Sequence, residues 1–203
     1  MTYPFYPNYP YDSLLGRDPL RVTRNQLLTC ITPPVTEPIT LTEAKLYLRV
    51  DNTNDDTLIT DLITVARMAA ERWLRKSLIS QTWKIAFDMC IPYSVWLPMG
   101  PVVSLVSVIV VNQDGSTTTP ASTSYWLNAA KNALVMNTIL TGFRIEITYN
   151  TGYGSAESNV PAPIKYGMMS HIAAMYDSRG ESGEVMLPEQ AVGLYTPYRE
   201  VRL

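Results

Sequence analysis

The chain has 203 residues, 46% of them hydrophobic and 17% charged, with 16 Lys and Arg against 18 Asp and Glu. That length suits one domain or a small domain pair, and a net charge of −2 excludes a protein that holds nucleic acid mainly by bulk basicity. One His and two Cys leave too few ligands for a structural zinc site. Cys30 and Cys90 stand far apart, so the expectation is two free thiols in a reducing compartment. The start of the chain carries no basic stretch followed by an apolar one, so no signal peptide is read. The longest apolar run, 102–111, holds Ser104 and Ser107 and is too short to span a bilayer. The chain reads as soluble, made in a cytoplasm, without membrane contact.

Residues 1–38 form a regime of their own. Pro4, Pro7, Pro10, Pro19, Pro33, Pro34 and Pro38 lie here, with Tyr3, Phe5, Tyr6, Tyr9 and Tyr11 crowded at the start. Prolines this dense disfavour helix and central strand and favour extended chain. A disordered tail and a docking arm both fit; an extended arm cannot bury its own aromatics, which favours docking.

Residues 39–80 turn helical. Thr40 and Glu43 have capping-box spacing ahead of a short helix to about Val50. After the polar loop 51–56, a long helix is expected from about Asp55 to Lys76. Leu58, Ile59, Leu62, Ile63, Ala66, Ala69, Ala70, Trp73 and Leu74 recur at nearly 3.6-residue spacing. Arg67, Glu71 and Arg75 fall on the opposite side and read as a solvated face.

Over 81–150 the period becomes two. Trp83, Ile85, Phe87 and Met89 alternate with Lys84, Ala86 and Asp88, the mark of a half-buried strand. The run 102–112 leads into Gln113-Asp114-Gly115, a hairpin signal. Further strands are expected at 125–127, 134–136 and 143–149, giving an antiparallel β module of five or six strands. Residues 151–180 return to helix, from about Ala162 to Ser178, entered by Pro161 and Pro163 and stopped at Gly180. The tail, 181–203, predicts no more than a short helical turn. The fold class is α+β: a helical core with an inserted antiparallel β module and extended arms at both ends.

No catalytic or metal constellation emerges. The acidic loop 51–56 resembles a calcium loop, but EF-hand positions 6 and 12 hold Asp56 and Leu62 instead of Gly and Glu. Gly152-Tyr153-Gly154 reads as a turn pair, not a phosphate cradle, because two prolines intervene before the helix. His171 sits among Met168, Met169, Ile172 and Met175, where packing is the ordinary role. Arg67, Arg72, Arg75 and Lys76 read as a solvated face, not a phosphate-binding one. In the tail, Tyr195, Tyr198, Arg199 and Arg202 are anchor-type residues, and 185–187 and 192–194 are apolar; a frayed end is the alternative to docking.

Three stretches together resemble the head–tail connector (adaptor) proteins of tailed bacteriophages. PITLTEAKLYLRVDNTNDDTLITDLITVARMAAERWLRKSLISQTW is similar to that family's opening helix pair and first strand. ITYNTGYGSAESNVPAPIKYGMMSHIAAMYDSRGE is similar to its last strand, glycine turn and proline-initiated helix, and LYTPYREVRL to its ending. The likeness spans residues 38–203; the Pro/Tyr-rich arm departs from the compact family pattern. It implies a structural virion protein without enzymatic activity or cofactor, forming a homo-oligomeric ring, a dodecamer, at the capsid–tail junction. By the same resemblance the ring binds the portal protein on one side and a stopper or tail-tube (tail-completion) protein on the other. DNA passes through the lumen without sequence-specific contact. Carried over by position, Leu194, Tyr198, Arg199 and Arg202 are the portal-contact candidates; Tyr3, Phe5, Tyr6, Tyr9 and Tyr11 are the arm's docking candidates. Low charge and apolar tails suit a subunit bounded by neighbours.

Two other readings stay open. A receptor- or carbohydrate-binding β module would use Trp83, Trp96, Trp126 or Tyr153 as stacking platforms, and exposed tryptophans would favour it. A small hydrolase would need His171 joined to an acid and a nucleophile.

Overall fold

A computed structural model describes residues 26–178 and 187–200. In chain order the elements are β1 (Gln26–Thr32), α1 (Leu41–Leu48), α2 (Asp56–Leu74), β2 (Gln81–Cys90), β3 (Ser94–Trp96), β4 (Val102–Val111), β5 (Thr117–Thr118), β6 (Tyr125–Leu127), β7 (Ala133–Met136), β8 (Thr141–Thr151), α3 (Ala162–Asp177) and α4 (Glu189–Tyr195). Helices pack with antiparallel sheets, an α+β arrangement as expected.

The helices start where local chemistry says they should. Thr40 Oγ1 accepts the Glu43 N–H at 3.1 Å, and the Glu43 carboxylate accepts the Thr40 N–H at 2.8 Å, closing the capping box of α1. Arg49 and Arg75, with φ of 59° and 58°, take the left-handed conformation that ends α1 and α2. From α2, Ile59, Ile63, Ala66, Ala70 and Leu74 are buried against Ile164, Met168 and Ile172 of α3 and Ala191 and Tyr195 of α4. The alanines let backbones approach where larger side chains would hold them apart.

The strands build a second core. Five strands run in the order β1-β2-β8-β4-β5, and three more, β3-β7-β6, form a smaller sheet. Ile85, Phe87, Val108, Val110, Ile145, Ile147 and Tyr149 of the larger sheet meet Val95, Leu134 and Met136 of the smaller, a sandwich with one shared interior. The predicted turn joins β4 to β5: Gly115 N–H donates to Asn112 C=O, and the Asp114 carboxylate accepts the Ser116 N–H.

Entry to and exit from the β sandwich lie side by side. Tyr153 N–H donates to Leu78 C=O at 3.2 Å, and Ser80 N–H to Gly154 C=O at 2.9 Å. At Gly152, φ is 112°, and a Cβ there would lie 2.5 Å from the Ile79 carbonyl oxygen. Only glycine supplies both the dihedral and the clearance. The glycine pair is therefore structural, and it holds the segment entering β2 beside the segment leaving β8.

Three features differ from the sequence reading. The proline-free window 26–32, inside the stretch expected to be an arm, is an edge strand paired antiparallel with β2. Ser94–Trp96 is a strand although prolines flank it, because three residues suffice to pair with β7. Arg67 and Glu71 do not face solvent: they are 9% and 6% exposed, because residue 37 and the start of β2 cover that side of α2.

Candidate interaction surfaces

Arg67 and Glu71 form the centre of a polar hub where the helices meet the sandwich. Arg67 Nε donates to Glu37 at 2.7 Å and Nη1 to Glu71 at 2.9 Å. The Glu71 carboxylate also accepts the Leu78 N–H at 2.9 Å and Gln81 Nε2 at 2.6 Å. Burial pushes the Glu71 carboxyl above its ordinary range, outweighing the donors that pull it down. Burial alone would weaken the Arg67 charge, but its carboxylate partners win and hold it protonated. The i, i+4 spacing of Arg67 and Glu71 was visible in the sequence; what covers them was not. The hub fixes geometry and offers no open site.

His171 is 3% exposed, and neither imidazole nitrogen has a hydrogen-bond partner among the described residues. Burial lowers its proton affinity. Buried on α3 with Ile164, Met168 and Ile172, it acts as a core side chain. Among the described residues no group of three or more His, Cys, Asp or Glu is placed to hold a metal ion. No described helix is long and apolar enough to cross a membrane.

The C-terminal segment is tied down more firmly than a tail. Tyr195 is fully buried, seated where α3 carries Gly167; a Cβ at 167 would lie 2.5 Å from its ring. Trp73 of α2 lies against Tyr195 with ring centroids 5.9 Å apart, and the Arg199 guanidinium stacks over Trp73 at 4.7 Å. Glu200 N–H donates to Leu74 C=O at 3.2 Å. Of the expected contact residues, Leu194 and Tyr198 are half-buried and Arg199 is exposed, gathered on α4 and the turn after it. Arg202 and the arm residues Tyr3, Phe5, Tyr6, Tyr9 and Tyr11 lie outside the described residues. A chain end with so little periodicity could not reveal that Tyr195 plugs the helical core.

Apolar side chains also face outward. Leu46 of α1 is 80% exposed. On α2, Leu58, Val65 and Met68 line the outer side. On β1, Leu27 and Ile31 are 66% and 50% exposed. Of the candidate stacking residues, Trp126 is exposed, while Trp83, Trp96 and Tyr153 are half-buried. Trp83 Nε1 donates to Ser77 Oγ, so it serves the junction and offers no stacking platform.

Residues 38–136 match the family described as phage gp6-like head–tail connector proteins. No curated protein sequence matches the chain. Among solved structures, the chain is similar to one in the neck of an empty gene transfer agent (GTA) particle computed with C6 symmetry. The two share 22% identity and a TM-score of 0.74, over 87% of this chain and 97% of that one. A chain from the virion of a native GTA particle gives a TM-score of 0.71 at the same identity and coverage. A third, from the neck of a native GTA particle computed with C12 symmetry, gives 0.64. At this identity the likeness is one of fold. The family whose model matches residues 38–136 is structural, not enzymatic, and over that stretch the chain resembles the phage gp6-like head–tail connector proteins.

Proposed function

We propose that the protein is one subunit of a closed ring in the neck of a virion, a dodecamer that joins the DNA-filled capsid to the tail. The ring sits under the portal protein, receives a stopper or tail-completion protein on its other side, and lets DNA pass through its lumen without reading sequence. The observation that carries this reading is the family match over 38–136, in a fold similar to neck chains computed with C6 and C12 symmetry. Outward-facing Leu46, Val65 and Met68 support it, since apolar residues on different helices suit the two unlike faces of a heterologous ring contact. Leu194, Tyr198, Arg199 and Arg202 meet the portal, and Tyr3, Phe5, Tyr6, Tyr9 and Tyr11 dock on a neighbour. Synthesis takes place in the host cytoplasm.

Native mass spectrometry of the subunit, alone and mixed with purified portal protein, tests this. The expected result is a closed ring of twelve copies bound to portal. A subunit that stays monomeric in the presence of portal overturns the reading. With the ring in hand, Tyr198→Ala combined with Arg202→Ala weakens portal binding and leaves the ring intact; unchanged binding removes the tail from the contact.

A further inference from the structure

The five-stranded sheet has two unlike ends. At one, β5 is two residues long; at the other, β1 is seven residues long, QLLTCIT, with neither charge nor proline. Soluble proteins protect sheet edges by shortening them, charging them, breaking them with proline or bulging them. The β5 end is protected in the first way, whereas β1 is neither short, charged nor broken by proline and is irregular only near its end, leaving Gln26–Cys30 in regular register. Among the described residues no strand pairs with the outer side of β1. Leu27, Leu28 and Ile31 leave that edge apolar, and the register shift between Cys30 and Thr32 falls at Ile31. An edge of this kind binds an extended peptide by strand addition.

Twenty-five residues precede β1 and enter the fold at its first residue. Fully extended, that length reaches about 80 Å, enough to cross a neighbouring subunit. Within it the proline-free run 11–18, YDSLLGRD, is about as long as β1 and carries Leu14 and Leu15. Before it, prolines fall at positions 4, 7 and 10, where each removes an N–H that a ladder needs.

We propose that the open edge of β1 receives residues 11–18 of an adjacent copy as an added strand. The inference rests on the ring reading, and it names the surface that receives the arm. A head-to-tail ring gives every copy one arm to offer and one edge to fill, so each apolar edge is covered once. Pairing of β1 with β1 of a second copy would instead be two-fold and would close at a dimer.

The test places a photo-crosslinking amino acid at Ile31 of the full chain and assembles unlabelled with ¹⁵N-labelled subunits. The expected product joins position 31 to residues 11–18 of the other isotope. Cross-links to the same copy's arm, to β1 of another copy or to any other segment overturn the proposal. Native mass of the same sample reads the ring separately: a ring without that cross-link sinks this proposal alone, and no ring sinks the ring reading with it. As a second measurement, Leu27→Lys with Ile31→Lys changes two exposed positions, and circular dichroism checks that the fold survives. Tryptic cleavage after Arg17 in the assembled protein is expected to rise about tenfold as the arm is released. Equal cleavage rates in the two proteins overturn it.

Discussion

The helical core and the β sandwich each bury one tyrosine completely, and they treat its hydroxyl in opposite ways. In the sandwich, Tyr149 donates to Pro98 C=O at 3.0 Å. In the helical core, the Tyr195 hydroxyl has no partner among the described residues, and neither do the nitrogens of His171. The difference follows from how each core is made. The buried residues of the sandwich all come from one stretch, 85–149, whose loops return over its own side chains. The helical core is assembled from distant pieces, 39–79, 160–172 and 191–195, and its last piece fills the remaining space by shape, with less polar matching. Buried polar atoms without partners lower stability, so α3 and α4 should open before β2 and β8 do. Hydrogen exchange across the chain reads this directly.

The largest effect should come from the hub between the two regions. Arg67→Ala removes the guanidinium that neutralises buried Glu71 and leaves Glu37 with only the Thr64 hydroxyl as a donor. Breaking such a pair from one side costs about 3–5 kcal/mol, read as a shift in denaturation midpoint. The double change Arg67→Met with Glu71→Gln should lose less, because it buries no lone charge and keeps an acceptor for the Leu78 N–H. A double variant as unstable as the single would mean that the charges themselves hold the regions together.

Next in size is Gly167→Ala. Its Cβ would meet the Tyr195 ring at 2.5 Å, and the fully buried ring has little room to retreat, so the cost is about 1–3 kcal/mol. Exchange should quicken in α3 and α4 while β2 and β8 stay protected. If the sandwich loosens equally, the two cores unfold as one unit.

The tyrosine pair sharpens the comparison at a smaller scale. Tyr149→Phe gives up a hydrogen bond and leaves Pro98 C=O unpaired, a loss of about 1 kcal/mol. Tyr195→Phe removes a hydroxyl that has no partner and should be neutral or slightly stabilising. Equal losses at both positions would show that Tyr195 does find a partner in solution.

Much of this architecture was legible because local rules decided it. The Thr40–Glu43 box, the 3.6-residue stripe of α2, the proline entry to α3 and the Asp114-Gly115 turn each specify their element within a few residues. Strand β1 was hidden because its seven residues sit in a window dominated by prolines on either side. The burial of Arg67 and Glu71 was hidden for a different reason: a helical wheel shows which residues share a face, not what covers it. The tail posed the same difficulty. Tyr195 looked like a surface anchor because the groove beside Gly167 that accepts it exists only once three separate segments have met. Of the candidate contacts, residue types were readable; which of them the fold leaves outward was not.

The smallest effect belongs to His171, and it appears as a pH slope. Burial lowers its folded-state pKa below the ordinary value of about 6.5. Above that value the imidazole is neutral in both folded and unfolded chains, and its packing contribution is fully present. As pH falls below it, the unfolded chain takes up a proton that the folded core resists, so stability is lost down to the depressed folded value. The slope for one proton cannot exceed about 1.4 kcal/mol per pH unit. His171→Met keeps an apolar side chain of similar size and removes the titration, so unfolding free energy measured between pH 7 and pH 5 should fall less steeply in the variant. Glu43, whose carboxyl is held low by Lys165 and Thr40 against the opposing effect of burial, loses its contribution only as pH drops below the usual carboxylate range, so the two slopes separate. If wild type and variant run parallel down to pH 5, His171 is protonated inside the folded core without penalty, and the helical core is less closed than its geometry implies.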